Sequence, residues 1–264
     1  MGMAHDIWRY RQFIASSIQS ELAARFVASR LGGLWMIIHP LAQVLMYTLI
    51  LSAVLSAKLP GMEDTRFAYA VYLLSGIVGW TLFTEVVERC SRVFIDNADL
   101  MKKMVFPRIC LPLIVMGSAL LNNLLLLLAG FAVFVVLGHT PGPSVAWLPV
   151  VMVVNLALAA GLGLVLGVFN VFVRDVGQVV GLALQYGFWF TPIVYMPEII
   201  PQRLQALLQF NPLYWVVTGY QNILVFHGTP HWHGLAAVAA AAAVLLVLAL
   251  FLFRRAAPEM VEVL

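Results

Sequence analysis

Polar positions along this chain come in clusters, and between them run apolar stretches long enough to matter to a bilayer. About 20 mostly apolar residues are needed to cross roughly 30 Å of hydrocarbon as a helix. Six stretches satisfy that length: 34–55, 67–84, 111–137, 145–173, 176–195 and 235–253. No Asp, Glu, Lys or Arg occurs from 109 to 173, but Gly138, Pro141, Gly142 and Pro143 break that run near its middle, so it predicts a hairpin of two spans.

Two further stretches have helical character without reading as spans. Ile7, Tyr10, Ile14, Ile18 and Leu22 recur at helical spacing, with Arg9, Gln12, Ser16, Gln19 and Ala23 on the other face. This predicts an amphipathic helix, either lying on the membrane surface or packed as a cap on other helices. Residues 204–226 are uncharged but contain Gln205, Gln209, Asn211, Pro212, Gln221 and Asn222. A pair of short helices dipping in from one face, bounded by Pro192, Pro197, Pro201 and Pro212, fits them better than a seventh span. Such backbone is tolerated at membrane depth only where protein buries it or it lines a cavity.

Composition agrees with lipid as the main solvent: 62% of the 264 residues are apolar and 10% charged, against about 25% charged in ordinary soluble domains. The net charge of +3 is spread between the apolar runs and forms no nucleic-acid patch. With the N-terminal segment inside, Arg9, Arg11, Arg25, Arg30, Arg89, Arg92, Lys102, Lys103, Arg108, Arg174, Arg254 and Arg255 face the cytoplasm, and only Lys58, Arg66 and Arg203 face out. That bias predicts a multi-pass inner-membrane protein with both termini cytoplasmic. Residues 1–11 carry no signal-peptide pattern. Residues 1–31 form the interface segment and 32–264 the six-span domain.

Candidate chemistry is sparse. The three lysines, Lys58, Lys102 and Lys103, do not follow the glycine pattern of a P-loop, and neither Gly-x-Ser-x-Gly nor His-Glu-x-x-His occurs. Catalytic residues and metal ligands are therefore not expected; His231 and His233 read as interfacial polar residues, with a metal site as the alternative. Cys90 and Cys110 read as reduced thiols. Glu85 with Arg89, and Glu88 with Arg92, suit i, i+4 pairing on one helix, with a proton relay as the alternative. Gly163 and Gly167, and Gly177 and Gly181, have the spacing of close helix approach, within a subunit or between two. From Asp96 to Arg108 the chain reads as a short helix: Asp96 or Asn97 caps it, Asp99 suits its start, Lys102 and Lys103 its end, and Pro107 stops it. Leu100, Met101, Met104, Val105 and Phe106 give it an apolar tip that calls for a protein partner.

Four stretches resemble the transmembrane subunits of ABC-2 type polysaccharide exporters, the Wzm-like O-antigen, capsule and teichoic-acid permeases: ELAARFVASRLGGLWMIIHP from Glu21, NADLMKKMVFPRICLP from Asn97, VRDVGQ from Val173, and TPIVYMPEIIPQRLQALLQFNPLYWVVTGYQNIL from Thr191. The chain departs from that family at Ala23 and Gln221, where the family often carries a basic residue, and at Phe26, where it has tyrosine.

The resemblance implies an all-α, type V exporter fold of six spans, assembled as a homodimer around a channel. It also implies two copies of a separate cytoplasmic ABC ATPase that bind ATP and Mg; no cofactor is expected in this chain. Residues 97–107 then look like the coupling helix, with Asn97, Asp99, Leu100, Lys102, Lys103, Met104, Phe106 and Pro107 meeting the ATPase. Residues 196–228 look like the outer re-entrant region, and Arg174 and Asp175 like the cytoplasmic turn between spans four and five. Trp35, Tyr47, Tyr72, Trp80, Tyr186, Trp189 and Phe190 fall on spans one, two and five, which resemble the family's channel walls. Rings offer a sugar its sliding surface, and the same residue types also build interfacial belts. The implied cargo is a lipid-linked polysaccharide; the alternatives are an ABC-2 exporter of a small drug or lipid, and a membrane-embedded glycosyltransferase or ligase.

Overall fold

The computed structural model of the chain describes residues 8–27, 32–55, 68–103 and 109–263. These form α1 (Arg11–Val27), α2 (Trp35–Leu55), α3 (Ala68–Asp96), α4 (Ala98–Lys103), α5 (Cys110–Val136), α6 (Leu148–Phe172), α7 (Asp175–Phe190), α8 (Gln202–Gln209), α9 (Pro212–Leu224) and α10 (Trp232–Val263). Short 3-10 turns precede α2, α6 and α8. No strand occurs among the described residues.

Local chemistry explains the boundaries. Gly138, with φ +81°, supplies the left-handed residue that ends α5. Pro143 opens the turn that leads into α6, as the hairpin reading expects. Asn211 accepts a hydrogen bond from the Leu213 amide, with Pro212 in the first helical position, and so starts α9.

Among the described residues, four helical stretches are long and apolar enough to cross a membrane: Ala68–Asp96, Cys110–Val136, Pro143–Phe172 and Trp232–Ala257. α2 carries Pro40 and contributes the shorter apolar stretch Ile37–Met46. α3 is the hub and packs against α2, α5, α6, α7 and α9. Every residue from Ala68 to Trp80 is buried. Polarity follows position: α3 is the least apolar of the four long helices, whereas α10 is the most apolar and leaves Val244, Val247 and Phe251 exposed. In lipid this is the expected order, because an apolar face gains little by turning inward while a polar group needs partners.

Close packing against α3 is made by glycine. A Cβ on Gly163 would fall 2.7 Å from the Cys90 Cβ, and one on Gly167 would fall 2.5 Å from the Cys90 carbonyl. This pair therefore packs α6 on α3 within the subunit. Gly181, of the second pair, faces open space, and Gly177 abuts the Asn170 side chain. Equal spacing serves different ends in the two cases. Cys90 and Cys110 are both buried, and neither is in a disulfide.

The stretch 176–195 departs from a full helical span. α7 has 16 residues and stops at Phe190, about 24 Å at 1.5 Å per residue. Pro192 is the cause: it disfavours helical geometry in the preceding residue, and Thr191 is extended. The carbonyls freed by that break are met by side chains. Asn211 Nδ2 donates to the Phe190 carbonyl, Gln221 Nε2 and the Tyr72 hydroxyl to that of Pro192, and the Tyr69 hydroxyl to that of Val194. The Tyr72 hydroxyl also lies 3.1 Å from the Tyr195 carbonyl. Tyr72 is buried, so its ring is a brace for the break in α7. It is not a surface for cargo within the subunit, which corrects the reading of this residue as a channel aromatic.

α8 and α9 are the two short helices expected before the last span. α9 nests between α3, α6 and α10. Its end is held by the hairpin between α5 and α6, where His139 Nε2 lies 2.7 Å from the Leu224 carbonyl and the Ser144 hydroxyl donates to that of Ile223.

Candidate functional site

α1 is amphipathic and rests on α5, where a Cβ on Gly117 would collide with Ile18. In the structure this helix packs on another helix. Glu21 projects from it to Arg89 on α3. The Arg89 guanidinium also donates to Glu85, 3.2 Å away, and to the Ser118 hydroxyl, 2.7 Å away on α5. Asn122 Nδ2 donates to the same Glu85 oxygen at 2.8 Å. The expected Glu85–Arg89 pair is therefore formed and extended into a network over three helices. Glu88 and Arg92 do not pair; among the described residues the Glu88 carboxylate has no ion-pair partner.

This network borders a cavity of about 510 Å³ between α2, α3, α5 and α7. His39, Pro40 and Gln43 contribute from α2, Trp80, Thr81, Thr84, Glu85, Glu88 and Arg89 from α3, Asn122 and Asn123 from α5, and Phe188 from α7. A second cavity of about 450 Å³ shares Gln43, Trp80, Thr84, Glu88 and Phe188 with it and continues along α7 past Gln185 to Trp189. Together they make one trough, polar on the α3 and α5 side and aromatic on the α7 side. Trp80 and Phe188 meet edge to face with centroids 5.8 Å apart, a favoured arrangement that fixes both rings.

The anticipated aromatics thus divide. Trp80 and Trp189 line the trough. Tyr186, Trp189 and Phe190 are exposed on α7, and Trp35 is exposed at the start of α2. Tyr72 is interior, as above. Tyr47 lies on α2, with its side chain outside the described residues. Phe188, Gln43, Asn122 and Asn123 were not singled out from the sequence. The Asn122–Asn123 pair carried a usable signal, since two amides in the middle of an otherwise apolar helix need partners there.

At the C-terminal end of α3, Asn97 Nδ2 donates to the Val93 carbonyl and closes the last turn of that helix. α4 follows at once, with Asp99 and Leu100 exposed, and touches α3 and α10. Lys102 and Lys103 are within α4, with side chains outside the described residues, and Met104, Phe106 and Pro107 fall outside them altogether. Arg174 and Asp175 are exposed at the turn from α6 to α7. Asn170, missed from the sequence, locks that turn: its Nδ2 donates to the Ser91 carbonyl and its Oδ1 accepts from the Gly177 amide. Among the described residues no three potential metal-ligating side chains cluster.

Long apolar helices around a less apolar hub that borders a trough define a multi-pass membrane protein. The chain belongs to the ABC-2 type transporter family, which it matches over residues 12–225. It is similar to the O-antigen export system permease protein RfbA of Myxococcus xanthus, 29% identical over 262 residues and 98% of each chain. It is similar also to RfbA of Klebsiella pneumoniae, 28% identical over 248 residues and 92% of each chain. The polysialic acid transport protein KpsM of Escherichia coli is 24% identical over 201 residues, 75% of each chain.

Proposed function

We propose that this chain is the membrane-spanning permease subunit of an ATP-driven exporter that moves a lipid-linked, O-antigen-like polysaccharide across the inner membrane. The observation that carries this reading is the trough: it is walled by α2, α3 and α7, the spans that carry the anticipated rings, and it combines aromatic faces with hydrogen-bonding side chains. A sugar presents C–H faces and hydroxyls, and such a wall matches both. Near full-length similarity to proteins named for O-antigen export supports a glycan over a small drug or lipid. The same names, all of permeases or transport proteins, weigh against a membrane glycosyltransferase.

In this reading the subunit has six spans, α2, α3, α5, α6, α7 with the turn that follows it, and α10, and both termini are cytoplasmic. Two copies form the channel, with the exposed rings of α7 on its wall. Two copies of a separate ATPase dock beneath, receiving the segment around α4 and supplying ATP and Mg. Residues 196–228 narrow the exit. The chain itself provides a path and a coupling point, without catalysis. Deletion of the gene, with restoration from a plasmid, tests the assignment: surface polysaccharide is lost and lipid-linked glycan accumulates inside the cell. Unchanged surface polysaccharide in the deletion strain would refute it.

A further inference from the structure

The α5 wall of the trough carries two amides whose orientation is fixed by what they donate to. Asn122 Nδ2 is committed to Glu85, and Asn123 Nδ2 to the Val78 carbonyl at 2.8 Å. Each hydrogen bond therefore sets which end of the amide is oxygen. The two Oδ1 atoms are left as acceptors without a partner, on residues that are 5% and 3% exposed and that line the cavity. Buried acceptors of this kind are uncommon and call for an explanation. Beside them stands the Glu88 carboxylate, which lines both cavities and accepts from none of the described side chains. Asn122, Asn123 and Glu88 thus stand on this wall as acceptors, and a ligand that meets them must bring donors.

Charge narrows the choice. Among the described residues, Glu85 and Glu88 face the cavity with Arg89 as the one Lys or Arg side chain lining it, and Arg89 is already bonded to Glu85 and to Glu21 behind it. The local balance is negative. A carboxylated sugar would meet like charge there. A neutral pyranose supplies hydroxyl donors to the amide oxygens and to Glu88, which as an ionised acceptor makes the stronger bonds, and it rests its C–H face on Trp80 and Phe188.

We infer that this wall is a subsite for uncharged, hydroxyl-rich sugar units, and that Glu88 with the Asn122–Asn123 pair discriminates against acidic glycans. The inference rests on the glycan-permease reading above and adds to it the class of glycan.

The test uses the full complex with its ATPase in nanodiscs, carrying Thr84→Cys as reporter, since Cys90 and Cys110 are buried. The rate of maleimide labelling is measured with a neutral malto-oligosaccharide, an oligogalacturonate and a chitosan oligosaccharide of equal length. The neutral oligomer should slow labelling several-fold, the acidic one should not, and Glu88→Gln, which keeps shape and removes charge, should narrow the difference between them. Equal or better protection by the acidic oligomer, protection by the cationic oligomer alone, or protection by none would overturn the subsite. The gene deletion separates the two levels. Loss of surface polysaccharide on deletion, without protection at Thr84→Cys, refutes only the subsite; unchanged surface polysaccharide refutes the glycan reading itself.

Discussion

The guanidinium of Arg89 on α3 bonds the carboxylate of Glu21 on α1, so the helix at the edge of the bundle is tied to the side of the trough. The same group holds Glu85 and Ser118. Any displacement of α1 must therefore rearrange hydrogen bonds at the trough.

Replacing Arg89 by alanine removes the donor shared by these three acceptors, although Glu85 keeps its hydrogen bond from the Asn122 amide. Hydrogen bonds to charged groups contribute about 1.5–3 kcal/mol, and the partly exposed side chains put the effect toward the lower end. Arg89→Ala should lower the thermal unfolding midpoint of the purified protein more than Glu21→Gln, which leaves Arg89 its other partners. Equal midpoints for wild type and Arg89→Ala would show that the network contributes nothing.

The break after Phe190 gives a second expectation. Tyr72→Phe deletes the hydroxyl that meets the carbonyls of Pro192 and Tyr195, at a cost of about 1 kcal/mol or more for an acceptor left buried. Gln221→Leu removes the other donor to the Pro192 carbonyl. Each should lower the thermal midpoint, and the double variant should fall by more than the sum, because only then does that carbonyl lose both partners. Simple additivity would mean that the two side chains do not share it.

The sequence made the long helices legible because hydropathy over 20 residues is a strong signal, and Gly138 and Pro143 marked the hairpin. It did not reveal where α7 ends. Apolar character continues through Val194, and the break is viable only because Tyr69, Tyr72, Asn211 and Gln221 reach it from distant parts of the chain. For the same reason Tyr72 read as a ring facing cargo. Tyrosine on an apolar span has no sequence mark that tells a brace from a wall. Glu85 and Arg89 were visible as a pair, whereas Glu21 was not, because its partner lies on another helix.

Glycine spacing offers a matched comparison. Gly167→Ala should reduce the yield of folded protein, since the new Cβ would meet the Cys90 carbonyl at 2.5 Å. Gly181→Ala enters open space and should be neutral or stabilising by up to about 1 kcal/mol, the helix-propensity difference. Yield and midpoint by size-exclusion fluorescence decide between them; equal effects would contradict the packing.

For the segment around α4, Leu100→Asp combined with Met104→Asp puts charge on the apolar tip. Co-purification with the ATPase should fall, along with surface polysaccharide, while membrane insertion persists. Full recovery of both would exclude this segment as the contact.

Topology is best read at introduced thiols, because both native ones are buried. Arg174→Cys and Pro201→Cys lie at exposed positions. In intact cells an impermeant maleimide should label Pro201→Cys and reach Arg174→Cys only after permeabilisation. The reverse pattern would invert the orientation.

The central place of α3 has a consequence for synthesis. α3 leaves the ribosome before α5, α6 and α9, whose Asn122, Asn123, Asn155 and Tyr220 later surround it. During that interval the nascent helix must wait beside lipid or an insertase with two glutamates and two arginines on its surface. The Glu85–Arg89 pair, formed within one helical turn, neutralises part of this charge before any neighbour arrives. Glu88 has no such partner among the described residues, so its charge stays at the trough even after α5 and α6 have closed around the helix.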